Sequence, residues 1–162
     1  MSFIEVERKF LIIGEFKHLA VSSTHIVQGY IASGNGRTVR VRIRGEKGYL
    51  TIKGPSDKVG LARFEWEKEI SLEEANALMR ICEPGIIEKT RWLVPSADGR
   101  HTWEVDEFGG DNEGLVMAEI ELRSEDDPYE KPDFIGQEVT GDRRFYNSHM
   151  RRYPYRMWKD DI

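Results

Sequence analysis

Charged side chains of both signs recur at alternate positions along much of this sequence, beginning with Glu5, Glu7 and Lys9. Alternate residues of a β-strand point to the same face, so each run places its charges on one face of a strand. The cations that recur in this way are Lys9, Arg40, Arg42, Lys53, Lys89 and Arg91. The carboxylates are Glu5, Glu7, Glu65, Glu67, Glu104, Asp106, Glu119 and Glu121. A single such run is typical of a solvated strand face, but its recurrence on nearly every strand indicates a shared function.

These two groups of charges suit phosphate and metal chemistry. Clustered arginine and lysine complement phosphate oxygens, and arginine can bind them bidentately. Clustered carboxylates, without histidine or cysteine at ligand spacing, form the hard oxygen site that Mg²⁺ or Mn²⁺ prefers. The sequence therefore predicts a site for a polyanion together with divalent cations. The histidines are scattered and are expected to be structural or solvent-facing: His18, His25, His101 and His149.

Eight segments combine alternating apolar residues with flanking turn residues, which is the pattern of antiparallel β-strands. They span residues 4–12, 25–31, 38–44, 49–53, 61–70, 86–94, 101–108 and 115–123. Tight turns are predicted at residues 33–36 and 46–48, and a looser loop at residues 54–57. The Gly-rich segment at residues 34–36 lacks the lysine and the hydroxyl residue of a P-loop, so it does not predict a phosphate loop.

One helix is predicted after the fifth strand. Ser71 and Glu74 have the spacing of a capping box. Apolar residues then follow at helical spacing, at Leu72, Ala75, Leu78, Met79 and Cys82. Pro84 and Gly85 end the helix. At least one further short helix, packed on the sheet, is expected within residues 134–150.

Eight meandering antiparallel strands can close into a barrel, which removes both edges of the sheet. Helices on the outside could cover the apolar strand faces, and the charged faces would then line the interior. Each desolvated ion costs several kcal/mol. A barrel interior with this many charges therefore requires water, partner charges or a ligand to compensate them. We therefore predict a mainly β (α+β) fold, a closed eight-stranded antiparallel β-barrel that forms a wet tunnel with helices packed outside. The alternative is an ordinary barrel whose charged faces are solvated.

The composition sets limits on domain count and partners. A chain of 162 residues with 39% hydrophobic residues predicts a single domain over residues 1–162, in which residues 151–162 form a C-terminal tail. The net charge of -5 argues against general nucleic-acid binding. The tail mixes arginines with aromatics, a pattern also seen in proteins that bind single-stranded nucleic acid. Packing of these aromatics on the domain or on a second subunit is favoured, and a homodimer is one expectation.

The cellular compartment of the protein is predicted from its single cysteine, Cys82. One cysteine cannot form an intramolecular disulfide, which favours the reducing cytoplasm. Its place on the apolar side of the predicted helix favours a buried structural thiol over a nucleophile. The first residues alternate charged with apolar side chains, so no secretory signal is expected. No segment approaches the roughly 20 apolar residues of a membrane span, so no membrane partner is expected.

The ordered set of charges resembles that of the CYTH domain, or triphosphate tunnel metalloenzyme, superfamily. Glu5-x-Glu7-x-Lys9 matches the E-x-E-x-K signature of that superfamily. The resemblance continues through Arg40-x-Arg42, Lys53, Glu65-x-Glu67, Lys89-x-Arg91, Glu104-x-Asp106, Glu119-x-Glu121 and Asp142-Arg143-Arg144-Phe145, and it covers about residues 3–147. The compact size and the Gln28-Gly29-Tyr30 segment resemble the small bacterial branch, which includes inorganic triphosphatases.

This resemblance implies an eight-stranded antiparallel tunnel with metal-dependent chemistry on triphosphate groups. The implied ligands of Mg²⁺ or Mn²⁺ are Glu5, Glu7, Asp106, Glu119 and Glu121. The implied phosphate-binding residues are Lys9, Arg40, Arg42, Lys53, Lys89, Arg91 and Arg144. Glu65 and Glu67 would orient cations, bind a second metal or position water, with Glu104 as a further supporting carboxylate. Arg44 and Arg63 lie on the same strand faces near strand ends, where a solvated rim position is equally compatible.

The expected activity is hydrolysis of inorganic triphosphate or short-chain polyphosphate. Alternatives are a nucleoside or thiamine triphosphatase, an adenylate cyclase, and a non-catalytic polyphosphate or nucleotide sensor. Lys9 and Tyr30 lie on consecutive predicted strands, and adjacent antiparallel strands can bring facing side chains within about 5 Å. A lysine beside a tyrosine favours the phenolate, which could accept a proton from water. Tyr30 could instead only pack or donate a hydrogen bond, leaving a tunnel carboxylate as base. The resemblance favours catalysis, because a Lys-Tyr dyad is associated with triphosphatase activity in the small bacterial branch.

Overall fold

The computed structural model describes residues 3–162, in which nine β-strands form one sheet. The strands are β1 (Ile4–Ile12), β2 (Ser22–Gly34), β3 (Arg37–Arg44), β4 (Lys47–Ser56), β5 (Ala62–Ile70), β6 (Ile87–Pro95), β7 (Thr102–Phe108), β8 (Val116–Leu122) and β9 (Ile135–Glu138). The α-helices are α1 (Leu72–Met79) and α2 (Asn147–Met150). Short 3-10 turns span Lys17–Leu19, Gly110–Asn112, Arg143–Phe145, Tyr155–Met157 and Lys159–Asp161.

Eight of these strands close into an antiparallel barrel, which confirms the predicted fold. Their order is β5-β4-β3-β2-β6-β7-β8-β1, and β1 pairs with β5 to complete the circle. The closing register is short, with Val6 opposite Ala62, Glu5 opposite Arg63 and Ile4 opposite Phe64. Further along β1, β9 pairs beside Phe10. Strand β9 was not predicted, because four residues are too few to show a clear alternation.

Strands β1 and β2 lie on opposite walls of the barrel. The barrel neighbours of β1 are β5 and β8, whereas those of β2 are β3 and β6. The expectation that Lys9 and Tyr30 lie side by side on adjacent strands is therefore wrong. A meander would pair consecutive strands, but the connection between β1 and β2 is long enough to carry the chain across the barrel, and β2 pairs with β6 instead.

The predicted hairpin turn at Asn35 and Gly36 and the start of α1 are confirmed, whereas α1 ends at Met79, before Cys82 and the predicted stop at Pro84. Asn35 and Gly36 both have positive φ (53° and 77°), as a two-residue hairpin turn between β2 and β3 requires. Ser71 and Glu74 form the capping box of α1, with Glu74 N donating to Ser71 Oγ at 3.0 Å. The loop expected at residues 54–57 is mostly strand, because β4 continues through a register shift to Ser56.

The apolar face of the sheet points outward and is covered largely by connecting segments. One cluster joins outward residues of β1, β7 and β8, among them Phe10, Trp103 and Ile120, with Phe16 and Phe134 from the connections. Outside helices were expected to provide this cover, but in the described residues α1 covers only part of the sheet, over β3 and β4. Apolar cover on the outside leaves the charged face of each strand to the interior.

Helix α1 approaches β4 closely because Gly48 has no side chain. A Cβ added at Gly48 would lie 2.6 Å from Cβ of Ala75, which is fully buried in α1. Cys82 lies three residues beyond the end of α1 and is half-buried. Burial raises the pKa of the Cys82 thiol, which agrees with a structural rather than a nucleophilic role.

The C-terminal residues pack on one end of the barrel. Trp158 contacts Phe145 and Tyr155 edge-to-face, with ring centroids 5.2 Å and 5.1 Å apart. This group joins Met117 and Phe108, at the adjacent ends of β8 and β7, in a second buried cluster. The expectation that tail aromatics pack on the domain is thus met by Trp158. Within the described part of the chain, no helix has the length and apolarity needed to cross a membrane.

We predict that Trp158→Ala destabilises the protein by about 3 kcal/mol, because it empties a buried aromatic site. For a domain of this size, such a loss lowers Tm by roughly 6–12 °C. Thermal unfolding followed by circular dichroism measures the effect. The neighbouring Met157 is 63% exposed, so Met157→Ala is the matched control and should change Tm little. Equal melting temperatures for the two variants would contradict the packing role of Trp158.

Candidate active site

A cavity of about 930 Å³ runs through the barrel and receives side chains from all eight barrel strands. The charged strand faces therefore point inward, as the recurring pattern predicted. The predicted site residues that line the cavity are Glu5, Glu7, Lys9, Tyr30, Arg40, Arg42, Lys53, Glu65, Glu67, Lys89, Arg91, Glu104, Glu119 and Glu121. Asp106 and Arg144 are not among the lining residues. A tunnel this strongly charged needs ligands or water to compensate its interior.

Asp106 is buried against Lys89 and Arg91 and does not line the cavity. It is 0% exposed and accepts hydrogen bonds from Arg91 Nε and Nη2 at 2.8 and 2.9 Å, while Lys89 Nζ lies 2.8 Å from its Oδ2. Burial disfavours the charged form, but Arg91 and Lys89 outweigh it and hold the pKa of Asp106 below its usual value. In this position Asp106 anchors two cations in the tunnel wall and is not exposed to the cavity as a ligand.

Arg144 also lies away from the cavity. Its Nη2 pairs with Asp142 Oδ2 at 2.6 Å, and its guanidinium lies over the rings of Phe145 and Trp158. The structure thus brings Arg144 to the packed C-terminal end rather than to the phosphate-binding wall, and a role in binding phosphate stays a prediction.

The tunnel contains an under-compensated cationic wall on β3, next to the paired cations Lys89 and Arg91 of β6. Burial, together with Arg40 and Arg91, lowers the pKa of Arg42 to about 10 although Glu67 lies 3.3 Å away. Burial also lowers the pKa of Lys89 to about 8, against the attraction of Asp106. Nε of Arg40 and Nε of Arg42 are buried without a hydrogen-bond partner among residues 3–162. Because unpaired buried donors are costly, this wall favours an incoming anion with several acceptor oxygens.

Opposite charges meet beside β4, where Lys53 joins two carboxylates. Lys53 Nζ lies 2.9 Å from Glu5 Oε1 and 3.3 Å from Glu65 Oε2. Burial raises the pKa of Glu5, but Lys53 overcomes that effect and the pKa lies below its ordinary value. Burial lowers the pKa of Lys53, and the carboxylates Glu5 and Glu7 reverse the effect, so the net pKa is raised. This part of the tunnel holds its charges as paired ions.

A carboxylate cluster faces the cavity on β1 and β8. One carboxylate oxygen from each of Glu5, Glu7 and Glu121 can be chosen so that all three lie within 4.8 Å of one another. Glu7 and Glu121 stand directly opposite in the β1–β8 register, where like charges destabilise a sheet. Burial and the nearby Glu119 and Glu5 raise the pKa of Glu7 well above its ordinary value. Burial and the nearby Glu5, Glu104 and Glu65 raise the pKa of Glu121 to about 7.

The remaining carboxylates sit close to cations. Glu119 stands opposite Lys9 in the β1–β8 register, and Lys9 and Arg91 overcome burial to hold its pKa well below the ordinary value. Burial raises the pKa of Glu104, although Arg91 Nη1 donates to Glu104 Oε2 at 2.8 Å. Burial likewise raises the pKa of Glu65. Among the described residues, the Glu5–Glu7–Glu121 cluster combines close carboxylate oxygens with mutual repulsion, and this all-oxygen set fits a hard divalent cation.

Tyr30 and Lys9 approach the cavity from opposite walls. Tyr30 is 4% exposed, and its Oη accepts a hydrogen bond from Gln28 Nε2 at 3.1 Å. Lys9 Nζ lies 4.9 Å from the centroid of the Tyr146 ring. Both residues lie near the C-terminal segment that packs on the barrel end. Lys9 is close to Tyr146 of that segment, and Tyr30 is linked to Asn147 through Gln28. Lys9 and Tyr30 therefore extend into the same cavity from strands that do not pair with each other.

Several lining residues were not predicted. They are Thr38, Leu93, Gly99, Arg100, Thr102, Arg123, Asn147 and Ser148. His101 also lines the cavity, but its Nε2 lies 2.9 Å from Asp127 Oδ2, which agrees with the expected structural role. Arg44 and Arg63 both line the cavity, at positions close to the ends of β3 and β5. No local pattern marked Asn147, because only packing of the C-terminal segment brings it to the barrel.

Comparison with known families places this architecture. A family model described as the CYTH domain matches residues 4–148, which is most of the chain. The chain belongs to the CYTH domain family. The resemblance noted in the charged motifs is thereby confirmed, and the closed barrel with an interior lined by both signs of charge is the form that this CYTH domain takes.

This CYTH domain is similar to proteins named inorganic triphosphatase. It is 48% identical over 158 residues to one from Acetivibrio thermocellus, covering 96% of this chain and 98% of that protein. It is 32% identical over 146 residues to one from Nitrosomonas europaea, covering 88% and 93% respectively. A solved inorganic triphosphatase structure matches with a TM-score of 0.61 and 29% identity, covering 90% of this chain and 93% of that one.

The raised pKa values of Glu7 and Glu121 generate a prediction about metal binding and stability. A carboxylate whose folded-state pKa lies above its ordinary value of 4.5 stabilises the fold while protonated, and that stability is lost as pH rises through the folded pKa. For Glu121 the window is therefore from about 4.5 to about 7. A divalent cation relieves the repulsion only once these groups ionise. The rise in Tm caused by Mg²⁺ should thus be larger near pH 8 than near pH 5.

Differential scanning fluorimetry with and without MgCl₂, at matched ionic strength, measures this difference. Glu121→Gln removes one titrating group of similar size, so its Mg²⁺-dependent rise in Tm should vary less with pH. Glu125, which is exposed on a loop, supplies the matched control Glu125→Gln. An equal Mg²⁺ effect at both pH values in the unaltered protein would contradict the cation site at Glu5, Glu7 and Glu121.

Proposed function

We propose that this CYTH domain hydrolyses inorganic triphosphate or short-chain polyphosphate inside its tunnel, with a divalent metal ion. The observation that carries the proposal is one cavity holding an under-compensated cationic wall and a separate carboxylate cluster. Such a cavity complements an anion rich in phosphate oxygens and its bound cation. The relatives named inorganic triphosphatase cover nearly the whole chain, which supports the same activity.

The cationic wall would bind the phosphates. Arg40 and Arg42 present buried guanidinium groups with unpaired Nε atoms. Arg91 is held by Asp106 and Glu104, so its position is set before substrate binds. With Lys53 and Lys89, these arginines surround the cavity with fixed positive charge. Fixed charges stabilise the negative charge that develops on a leaving phosphate without reorganising during the reaction.

The carboxylate cluster would hold the metal ion. Glu5, Glu7 and Glu121 would supply its oxygen ligands, and Glu119 stands next to Glu7 as a further acceptor. Mg²⁺ and Mn²⁺ both suit such ligands. A divalent ion bound there would act as a Lewis acid on a phosphate oxygen and neutralise part of its charge. We assign Asp106 to cation support rather than to this ligand set, since it already accepts bonds from Lys89 and Arg91.

The proton of the attacking water would pass to Tyr30. Water attacks a terminal phosphorus in line, the bridging P–O bond breaks, and the electron pair leaves with the shortened phosphate chain. Tyr30, as the phenolate, would accept the proton lost by that water. Lys9, on the opposite wall, would stabilise negative charge on the phosphates rather than contact Tyr30 directly. Glu65 and Glu67 are the alternative bases that line the same cavity.

A phosphate-release assay with Mg²⁺ tests the proposed activity directly. We expect turnover of tripolyphosphate to exceed that of ATP and thiamine triphosphate, because charge rather than a ring-binding surface dominates the described cavity lining. Higher turnover of ATP or thiamine triphosphate would replace the proposed substrate. Tight binding of tripolyphosphate without turnover of any of the three would support a sensor instead.

We predict that Tyr30→Phe lowers kcat for tripolyphosphate by about 10²-fold or more with little change in KM, because it removes only the hydroxyl. Steady-state phosphate release measures both constants. Tyr153 is 55% exposed in the C-terminal tail, so Tyr153→Phe is the matched control and should leave kcat unchanged. Near-normal turnover in Tyr30→Phe would transfer the base role to Glu65 or Glu67.

A further inference from the structure

A line of buried polar groups at one end of the tunnel connects Tyr30 with Lys89. Lys89 Nζ donates to Asn147 Oδ1 at 2.9 Å. Gln28 Nε2 lies 3.3 Å from the same Asn147 oxygen and 3.1 Å from Tyr30 Oη. The two ends of this line, Lys89 and Tyr30, face the cavity, and so does Asn147. Gln28 is the member that does not.

Gln28 is a costly residue at its position. It is 0% exposed in β2, and its Oε1 has no hydrogen-bond partner among residues 3–162. A buried amide that leaves one polar atom unpaired destabilises a fold relative to an apolar residue of the same size. Since Gln28 does not line the cavity, substrate binding does not offset that cost. Its remaining contacts are those to Asn147 and Tyr30.

The direction of these hydrogen bonds follows from chemistry alone. An ammonium group only donates, so the atom of Asn147 that meets Lys89 must be the carbonyl oxygen. That oxygen only accepts, so the atom of Gln28 beside it must be the amide nitrogen. A reversed Gln28 amide would set two acceptor oxygens against each other. The second hydrogen of the Gln28 nitrogen is therefore free to reach the oxygen of Tyr30.

We propose that Gln28 is a positioning residue for Tyr30: its amide, oriented by Asn147 and Lys89, donates to Tyr30 Oη and so aims the hydroxyl at the cavity and stabilises negative charge on it. This inference rests on the proposed function, in which Tyr30 accepts the proton of water. The donated bond leaves the hydroxyl proton of Tyr30 unshared with Gln28. The bond fixes the oxygen that accepts the proton relative to the attacking water, so it acts on turnover more than on substrate binding.

Gln28→Met removes both amide donors and keeps a side chain of similar length. We expect kcat for tripolyphosphate to fall about 10-fold or more, with KM changed little. Gln137 on β9 is exposed, and Gln137→Met makes the same chemical change outside the tunnel, so it is the matched control with unchanged kcat. Gln28→Leu removes the same donors with a shorter apolar side chain and is the second variant if Gln28→Met does not fold. It should lower kcat as well, because no donor remains beside Tyr30 Oη.

A double-mutant cycle separates positioning from packing. If Gln28 acts through Tyr30, Gln28→Met has no further effect on kcat in the Tyr30→Phe background. An equal fold-loss in both backgrounds would overturn the proposal, since the residue would then act through general packing. Retention of full kcat by both Gln28→Met and Gln28→Leu would overturn it as well.

A measurement that does not depend on turnover tests the Gln28–Tyr30 hydrogen bond separately from the proposed function. The ¹³Cζ resonance of Tyr30 is identified by its loss in Tyr30→Phe. It should shift in Gln28→Met and stay in place in Gln137→Met, whether or not tripolyphosphate is hydrolysed. An unchanged resonance in Gln28→Met would overturn the hydrogen bond, whereas a shifted resonance with no triphosphate turnover would overturn only the proposed function.

Discussion

The structure depends on how charge is compensated inside a closed barrel. Closure turns one face of every strand inward, and these inward faces carry most of the charged pairs of the sequence. Many of these charges are compensated by a neighbour of opposite sign. Lys53 pairs with Glu5, and Lys9 stands opposite Glu119 in the β1–β8 register. The residual imbalance concentrates at the arginines of β3 and at the carboxylates of β1 and β8. The barrel is therefore left with two places where an external ligand of opposite charge is favoured.

Residues outside the cavity hold these charges in place. Asp106 binds two cations from behind, and apolar residues such as Trp103 pack on the outer side of the same strands. Buried hydrogen bonds fix both position and charge, because removing one partner would leave an uncompensated ion. The C-terminal segment has a comparable effect at the barrel end, where Asn147 meets Lys89 and the buried Arg151 contacts Ser33 and Glu83. The shape of the cavity therefore depends on groups that a substrate never contacts.

The alternation of charged and apolar residues determined much of this fold by itself. A period of two leaves little choice about which side chains share a face, so the inward set could be read once closure was assumed. The helix α1 was equally local, since the Ser71–Glu74 capping box and a run of apolar spacing suffice to start it. The signs of charge at alternate positions also indicated phosphate and metal chemistry. Arginine and lysine bind phosphate oxygens, and carboxylates bind divalent cations, whatever the fold that holds them.

Strand pairing was decided only by the tertiary structure. Lys9 and Tyr30 belong to consecutive strands but to opposite walls, since pairing depends on where a long connection carries the chain. The sequence grouped Asp106 with the other carboxylates, yet only the fold shows that two cations enclose it. No local pattern linked Gln28 with Asn147, because their contact joins residues 119 positions apart. Composition and period determine what each strand face can bind, whereas contacts between distant segments determine which groups meet there.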